Sequence, residues 1–332
     1  MKAWQYRTGA GGLEKSLHLN TSATLPKVKA DQHLVRILAT ALNPVDYKPA
    51  EVALIHRLAI PKPATPGIDF VGRVVKPAVG SHLQPNQLIF GAAAVSPLAG
   101  GALAEYAVVP TKGATAVPDG LDPVDAATVC VAGLTAYQTI IPHVKTGSRV
   151  FINGGSGGTG IFGIQIAKAA GCHVTTSCST TNVELCKSLG ADEVLDYKQG
   201  SILEQLKKQS PVFDHVVDNV GYDYDLYWRS HEYTKPDAKF IYVGARPDLS
   251  YLAFSLKVRL WPGFLGGGKR KFESMLVEPR TDELKQIGQW MVEGKVKAMI
   301  DQKFPFEQAV EAFKKLKTGR ARGKIIVEGT PE

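Results

Sequence analysis

Residues 154–160 read Gly-Gly-Ser-Gly-Gly-Thr-Gly and are the stretch whose composition points most directly to chemistry. Glycines let a backbone approach a pyrophosphate, and the N-terminus of a following helix offers free N–H groups and positive potential. An apolar run precedes this stretch and a helix-like segment follows it, which is the context a dinucleotide site needs. A tight turn without a ligand is the alternative. We predict that the cofactor phosphates bind at Gly155, Ser156, Gly157, Gly158, Thr159 and Gly160.

The next apolar run ends in Ser-Cys-Ser-Thr-Thr-Asn at 177–182, and no acidic residue occurs from Gly154 through Val183. A site for NAD usually places Asp or Glu at the end of this strand, where it accepts from the ribose hydroxyls. Small hydroxyl and amide donors suit a 2′-phosphate instead. The sequence therefore predicts NADP(H), bound by Ser177, Ser179 and Asn182, although Ser179 also has the residue type of a helix cap.

Two patterns of secondary structure must position these residues. Residues 1–121 contain short β-branched runs separated by Pro and Gly, which indicates a β-rich domain. From 122, where Asp122 and Pro123 have the sequence of a helix start, strands and helices alternate as in a parallel sheet. After 262 this alternation ends. We predict a nucleotide-binding domain at 122–262 and a second domain formed by 1–121 with 263–332.

The composition is that of an ordinary globular protein, with 44% hydrophobic and 21% charged residues and a net charge of +8. The basic residues are scattered and carry no nucleic-acid motif, so nucleic acid is not an expected partner. No apolar run reaches the length of a membrane span. The four cysteines form no Cys-x-x-Cys pair and are expected to be free thiols. The opening residues alternate like a strand, and we expect a cytoplasmic protein.

Seven motifs, in order along the chain, resemble the medium-chain dehydrogenase/reductase superfamily, in its zinc-independent quinone oxidoreductase and alkenal or enone reductase branch. They lie at 42–48, 66–75, 100–110, 131–140, 154–160, 188–198 and 323–329. The resemblance implies a GroES-like catalytic domain built from both chain ends, a Rossmann doubly wound α/β domain between them, an active-site cleft at their junction and a homodimer. Residues 248–275 match no motif of the family.

The resemblance also bears on metal chemistry. Zinc-dependent members take ligands from a Cys and a His at the positions that are Asn43 and Ile68 here. Isoleucine cannot ligate, so we expect no metal. Without a Lewis acid, reduction of a C=C bond conjugated to a carbonyl demands less than alcohol oxidation, because hydrogen-bond donors suffice for the enolate oxygen. The expected substrates are enones, alkenals or quinones.

The remaining site residues follow from the resemblance. Asn43, Tyr47 and Lys48 are the candidates for the substrate carbonyl, although Asn43 also fits an Asn-Pro turn and Lys48 a solvated loop. Asp46 and Asp69 are expected to make structural hydrogen bonds near the cleft. Further cofactor contacts are Thr135 near the nicotinamide, Tyr197 at the 2′-phosphate, Asn219, Val243 and Gly244 at strand ends, and Lys324 at the phosphates.

Two other functions stay open at this point. One is a zinc-free reductase of ketones or aldehydes, or a trans-acting enoyl reductase that serves a synthase. The other is a non-catalytic NADPH-binding protein. A saturated ketone from an enone would separate C=C reduction from carbonyl reduction, which yields an allylic alcohol.

Overall fold

The computed structural model describes residues 1–93, 100–209, 211–244 and 248–330, apart from the side chains at 53, 56 and 264. The strands are β1 (Ala3–Gln5), β2 (His18–Asn20), β3 (Gln32–Leu42), β4 (Asp69–Lys76), β5 (Leu88–Ala92), β6 (Tyr106–Pro110), β7 (Ala114–Ala116), β8 (Arg149–Asn153), β9 (His173–Cys178), β10 (Glu193–Asp196), β11 (Phe213–Asp218), β12 (Thr234–Tyr242), β13 (Lys271–Ser274), β14 (Ile300–Phe304) and β15 (Lys324–Glu328). The helices are α1 (Leu13–Ser16), α2 (Lys48–Glu51), α3 (Ala53–Ala59), α4 (Pro123–Ala126), α5 (Cys130–Ile140), α6 (Gly158–Ala169), α7 (Val183–Ser188), α8 (Ile202–Lys207), α9 (Asp225–Trp228), α10 (Leu249–Leu260), α11 (Thr281–Val292) and α12 (Ala309–Lys317).

The chain divides into two compact units. We name them the β-rich unit, Met1–Leu134 with Glu278–Glu332, and the α/β unit, Thr135–Val277. These boundaries follow residues 134 and 277, whereas the sequence predicted boundaries after 121 and 262. The first boundary falls inside the continuous helix α5, and the second follows β13.

A six-stranded parallel sheet forms the α/β unit, in the order β10-β9-β8-β11-β12-β13. The predicted alternation of strands and helices is thus confirmed. The chain runs outward from β8 to β10 and then returns to place β11 on the other side of β8. Open α/β sheets bind ligands at such a reversal of strand order, outside the carboxyl ends of the strands. The glycine-rich loop directly follows β8.

The last crossover of this sheet, β12-α10-β13, differs from the sequence prediction, which expected no βαβ unit after 262. The helix α10 packs Phe254 into the aromatic core of the α/β unit, while Leu249 and Leu260 on its outer face are largely exposed. Because both faces carry apolar residues, the helix lacks the one-sided periodicity that identifies amphipathic helices in a sequence. The four residues of β13 are too few to show alternation.

The β-rich unit is built around β3, which pairs antiparallel with β4, β6 and β15. The pairing of β15 with β3 aligns Ile325 with Leu42 and brings the C-terminal segment back to the N-terminal one, as predicted. The indole of Trp4 donates to the Phe306 carbonyl at 2.7 Å, which ties the same two parts of the chain. Asp122 caps α4 by accepting from the Val124 N–H at 2.8 Å, which confirms the predicted helix start.

Two smaller expectations concern the chain as a whole. The four cysteines are free and buried, as predicted. Within the described residues, no helix has the length and hydropathy needed to cross a membrane.

Candidate active site

The glycine-rich loop joins β8 to α6, and its glycines differ in how much space a side chain would have. A Cβ at Gly155 would lie 2.1 Å from the Thr176 Oγ1, and one at Gly160 would lie 2.2 Å from the Gly154 carbonyl oxygen. A Cβ at Gly157 would meet nothing nearer than 3.5 Å. Gly157 is also the N-cap of α6, and no side chain among the described residues caps that helix end. Gly155 and Gly160 are therefore needed for packing, whereas Gly157 leaves the helix N-terminus open to an anion.

Three buried polar side chains support this loop from below. Ser177 accepts from the Gly154 N–H at 2.9 Å and donates to the Asn153 Oδ1 at 2.5 Å. The amide of Asn153 in turn donates to the Asp218 Oδ1 at 2.8 Å. The hydroxyl of Ser177 is thus engaged beneath the loop and only 2% of the residue is exposed. This corrects its predicted role at the 2′-phosphate, since Ser177 positions the loop instead.

Residues after β9 meet the loop at its outer side. The Asn182 amide donates to the Ser156 hydroxyl at 3.1 Å, which joins two of the predicted cofactor residues. The hydroxyls of Ser179 and Thr181 lie 3.1 Å apart on the exposed surface. Tyr197, which follows β10, is 52% exposed. Polar and aromatic groups at this edge are therefore accessible to a ligand.

An acid that the sequence analysis did not consider lies in the same region. Asp196 ends β10 and is aligned with Cys178 at the end of β9. Its carboxylate accepts from the Thr180 hydroxyl at 2.6 Å and from the Lys198 N–H at 2.8 Å, and the Thr180 hydrogen bond lowers the pKa of Asp196. Asp196 belongs to β10, the strand next to β9, so an inspection of the residues after β9 alone does not find this acid. The parallel register of Val-Leu-Asp at 194–196 was the signal available in the sequence.

The ends of β11 and β12 complete this edge of the sheet. Asn219 directly follows β11, and its backbone N–H donates to the Asn153 carbonyl at 3.3 Å. The N–H groups of Val243 and Gly244 both donate to the Asp218 carbonyl, at 2.9 and 3.1 Å. Asn219 therefore lies beside the loop, and Val243 and Gly244 follow the end of β12. That these three residues contact a cofactor stays a prediction. Thr135 lies in α5 and is buried.

Two buried amide oxygens in this region have no hydrogen-bond partner among the described residues, the Oδ1 atoms of Asn182 and Asn219. Buried polar atoms in native structures are nearly always paired. Together with the open N-terminus of α6, these acceptors fit a polar ligand that carries both phosphates and donors. A nicotinamide dinucleotide has that chemistry, so the residues present fit the predicted group.

The β-rich unit contains a buried cluster of Asn43, Asp69 and Lys324, which we call the Asn43 cluster. The Lys324 ammonium donates to the Asn43 Oδ1 at 2.5 Å and lies 3.2 Å from the Asp69 carboxylate. The Asn43 amide donates to Asp69 at 2.9 Å and to the Ala41 carbonyl at 3.2 Å. Strand register explains the meeting, because Ala41 is aligned with Asp69 and Leu42 with Ile325.

Two predictions change with this geometry. Both amide hydrogens of Asn43 are already donated, so it has no free N–H for a substrate carbonyl and acts as a positioning residue for the cluster. Lys324 is 2% exposed and its ammonium is enclosed by Asn43 and Asp69. Its predicted contact with cofactor phosphates is therefore wrong. The strand that carries Lys324, β15, is paired on both sides, by β14 and β3, which buries the side chain.

The segment after Asn43 carries a second buried acid, Asp46. Its Oδ2 accepts from the Asn43 N–H at 2.7 Å, and a backbone hydrogen bond from Ile68 also reaches the carboxyl. Burial, with the nearby Asp69 carboxylate, raises the pKa of Asp46 to about 7. Burial also raises the pKa of Asp69, and the Lys324 ammonium offsets part of that rise.

Tyr47 and Lys48, the other two predicted carbonyl contacts, follow at the start of α2. The ring of Tyr47 packs against the core that contains Trp4 and Phe313, and the Lys317 ammonium lies 5.5 Å from its centroid. Lys48 is the first residue of α2 and is half-buried. Ile68, at the position of a zinc-ligating histidine, is buried. The described residues contain no group of three His, Cys, Asp or Glu side chains arranged to hold a metal ion.

Comparison with known proteins gives matches along the chain. The alcohol dehydrogenase GroES-like domain family matches residues 29–119, and the zinc-binding dehydrogenase family matches 189–327. A trans-enoyl reductase of Aspergillus terreus is 49% identical over 99% of this chain and 96% of that protein. The 2-methylene-furan-3-one reductase of Solanum lycopersicum is 33% identical over 100% of this chain and 80% of its own length. The quinone oxidoreductase structure from Coxiella burnetii aligns with a TM-score of 0.86 at 28% identity, covering 99% of both chains.

Proposed function

Because the chain belongs to the medium-chain dehydrogenase/reductase family, in its zinc-independent branch, we propose that it is an NADPH-dependent reductase of conjugated C=C bonds in enones, alkenals or quinones. The observation that carries the proposal is the Asn43 cluster. Where zinc-dependent members bind a metal, this chain has an amide held by a lysine and an aspartate, and Ile68 supplies no ligand. Relatives named as enoyl and methylene-furanone reductases support the same reaction class.

NADPH, when bound, supplies a hydride to the β carbon of the substrate. The chain's own residues would hold its phosphates at the open N-terminus of α6 and at the Ser156–Asn182 pair. Negative charge then develops on the carbonyl oxygen, where a hydrogen-bond donor stabilises it without a metal. The α carbon then takes a proton from a side chain or from water, which completes the reduction, and the product keeps its carbonyl.

The preference for NADPH over NADH rests on the segment after β9. Ser179 and Thr181 present exposed hydroxyls, and Asn182 lies beside Ser156. A carboxylate nearby, that of Asp196, is engaged by the Thr180 hydroxyl and the Lys198 N–H. It is therefore less available to bind ribose hydroxyls than a free acid at the end of β9 would be.

A trans-acting enoyl reductase is the second candidate, and the 49% identity to a protein of that name over almost the full chain favours it. Both candidates reduce a C=C bond, but a trans-acting enzyme takes its substrate from a synthase. An enzyme of this kind would turn over a carrier-bound or thioester enoyl substrate much faster than a free enone.

The test is NADPH consumption by the purified protein with enones, alkenals, quinones, enoyl thioesters and saturated ketones, with each product identified. We expect saturated carbonyl products and activity that EDTA does not abolish. Allylic alcohols from enones would indicate carbonyl reduction instead. Tight NADPH binding without turnover on the whole panel would refute an enzymatic role, and loss of activity with EDTA would refute the metal-free mechanism.

A further inference from the structure

The outer face of α10 carries a line of exposed leucines, which we call the leucine ridge. Its members recur at spacings of three and four residues, so they share one face of the helix, and each is between 49 and 83% exposed: Leu249, Leu252, Leu256 and Leu260. The opposite face of α10 packs Phe254 into the aromatic core of the α/β unit. Single surface leucines need no explanation, but a continuous line of them indicates a contact surface.

The apolar surface continues past the end of α10. Trp261 is 47% and Leu265 is 63% exposed, and the indole of Trp261 donates to the Leu265 carbonyl at 2.7 Å. The whole surface lies within residues 248–275, which match no motif of the family. The motifs that the family shares therefore do not account for it.

Basic side chains border the leucine ridge on both sides. An α-helix turns about 100° per residue, so Lys257 and Arg259 lie on opposite flanks of the line of leucines. Both are exposed. The helix itself contains no acidic residue, and Asp248, which precedes it, caps its N-terminus by accepting from the Tyr251 N–H at 2.8 Å. Any surface that covers the ridge therefore meets positive charge along both edges.

A second copy of the chain is a poor occupant of this ridge. Copies in a closed dimer are related by a twofold axis. Such an axis sets each flank either against its own equivalent or against the opposite flank, and both flanks are basic. Like charges across an interface disfavour association. The charge pattern thus favours a partner that is apolar inside and negatively charged at its surface.

We infer that α10 binds the surface of a membrane that contains anionic lipids, with the leucine ridge among the acyl chains and Lys257 and Arg259 at the headgroups. Helices that lie in the membrane interface have this arrangement of leucines, tryptophan and basic residues. The twelve residues of α10 are too few to span a bilayer, which takes about 20, so the helix lies along the surface. Leu249 and Leu260, at its two ends, are 83% and 76% exposed, so the ridge protrudes. A fluid bilayer accommodates a protruding ridge, whereas a protein partner would need a matching groove.

Co-sedimentation with vesicles tests the inference, and it needs neither cofactor nor substrate, so its outcome is independent of the proposed function. The purified chain is mixed with vesicles of phosphatidylcholine alone or with phosphatidylglycerol added. We expect binding to the anionic vesicles, little binding to the neutral ones, and weaker binding as salt screens the charges. The fluorescence emission of Trp261 should move to shorter wavelength on the anionic vesicles, and Trp261→Phe should remove that change.

Two variants separate the apolar and the charged contributions. Leu252→Asp with Leu256→Asp places carboxylates on the ridge and should abolish binding to anionic vesicles. Lys257→Gln with Arg259→Gln keeps the leucines and should weaken binding about thirtyfold, because each basic residue near an anionic surface strengthens binding about fivefold. All four side chains are exposed, so both variants should unfold at the temperature of the unaltered protein.

The matched control lies on α3, where Leu54 and Leu58 are 68% and 79% exposed at a spacing of four residues. Leu54→Asp with Leu58→Asp should leave vesicle binding unchanged. No binding to anionic vesicles, equal binding to neutral ones, or binding that survives the double change at Leu252 and Leu256 would overturn the inference. A dimer in light scattering that the same double change dissociates would assign the ridge to a second copy. Tight binding of an acidic amphipathic peptide in place of vesicles would assign it to a protein, and either result overturns the membrane assignment.

Discussion

The two candidate sites differ in whether their hydrogen-bonding groups are already paired within the chain. At the glycine-rich loop the backbone is held from below by Ser177 and Asn153, and its outer N–H groups stay open at the N-terminus of α6. In the Asn43 cluster the amide is fully engaged within the chain. The first region thus leaves backbone N–H groups available to a ligand, whereas in the second region the hydrogen bonds of the Asn43 amide are made within the chain.

This contrast shows where a function can be recognised from residue type. An open backbone site needs glycines at particular positions, because they have no side chains. The spacing of those glycines can be seen directly in the sequence. A closed cluster depends on three side chains that are far apart in the sequence: Asn43 follows β3, Asp69 begins β4 and Lys324 begins β15. Residue type alone does not reveal that their hydrogen bonds are already used.

The largest expected effect tests the closed cluster. Lys324→Met leaves the buried Asp69 without its counter-ion and should lower the free energy of unfolding by about 3–5 kcal/mol. Chemical denaturation of the variant measures this. The double variant Lys324→Met with Asp69→Asn removes both charges and should regain part of the loss. A single variant as stable as the unaltered protein would mean that Asp69 is not held as a carboxylate by Lys324.

A smaller pair of effects tests the open site. Gly160→Ala forces a Cβ to within 2.2 Å of the Gly154 carbonyl and should cost about 1–3 kcal/mol of stability. Gly157→Ala meets no close atom and should leave stability within about 0.5 kcal/mol, yet weaken NADPH binding. Thermal unfolding and cofactor titration of both variants distinguish the two roles. Equal NADPH affinity in Gly157→Ala would contradict the assignment of Gly157 to the pyrophosphate.

The smallest effect concerns cofactor choice. Ser179→Asp adds a carboxylate to an exposed position after β9 and should repel a 2′-phosphate, shifting the ratio of NADPH to NADH affinity by about tenfold, or about 1.4 kcal/mol. Ser179→Ala is the control and should change the ratio less, because it removes one donor without adding charge. Titration with each cofactor gives the ratio. An unchanged ratio in Ser179→Asp would place recognition of the 2′-phosphate elsewhere.

What the sequence predicts correctly is local. The loop between β8 and α6, the cap of α4 by Asp122 and the alternation from β8 to β12 all depend on residues a few positions apart. The features that the sequence does not predict are of two kinds. Some depend on the pairing of strands that are far apart in the sequence, and others lie in a helix whose apolar residues are not confined to one face. Lys324 and Asn43 are 281 residues apart in the sequence, Asp196 reaches its place through the neighbouring strand, and α10 carries apolar residues on both faces. In each case the role of a residue is set by the groups that pack or hydrogen-bond against it in the fold, and residue type alone does not identify those groups.

The return of β15 to β3 has a consequence for the order of events on the ribosome. Residues 135–277 are contiguous, so the whole α/β unit leaves the exit tunnel while the β-rich unit still lacks its last strand. Asp69 has no ammonium beside it until Lys324 has been synthesised, and residues 39–42 of β3 lack their β15 partner for the same interval. Since domains fold as units during synthesis, the nascent chain completes its second unit before its first. Elongation through the final strand is therefore the step that commits the N-terminal half to its native state.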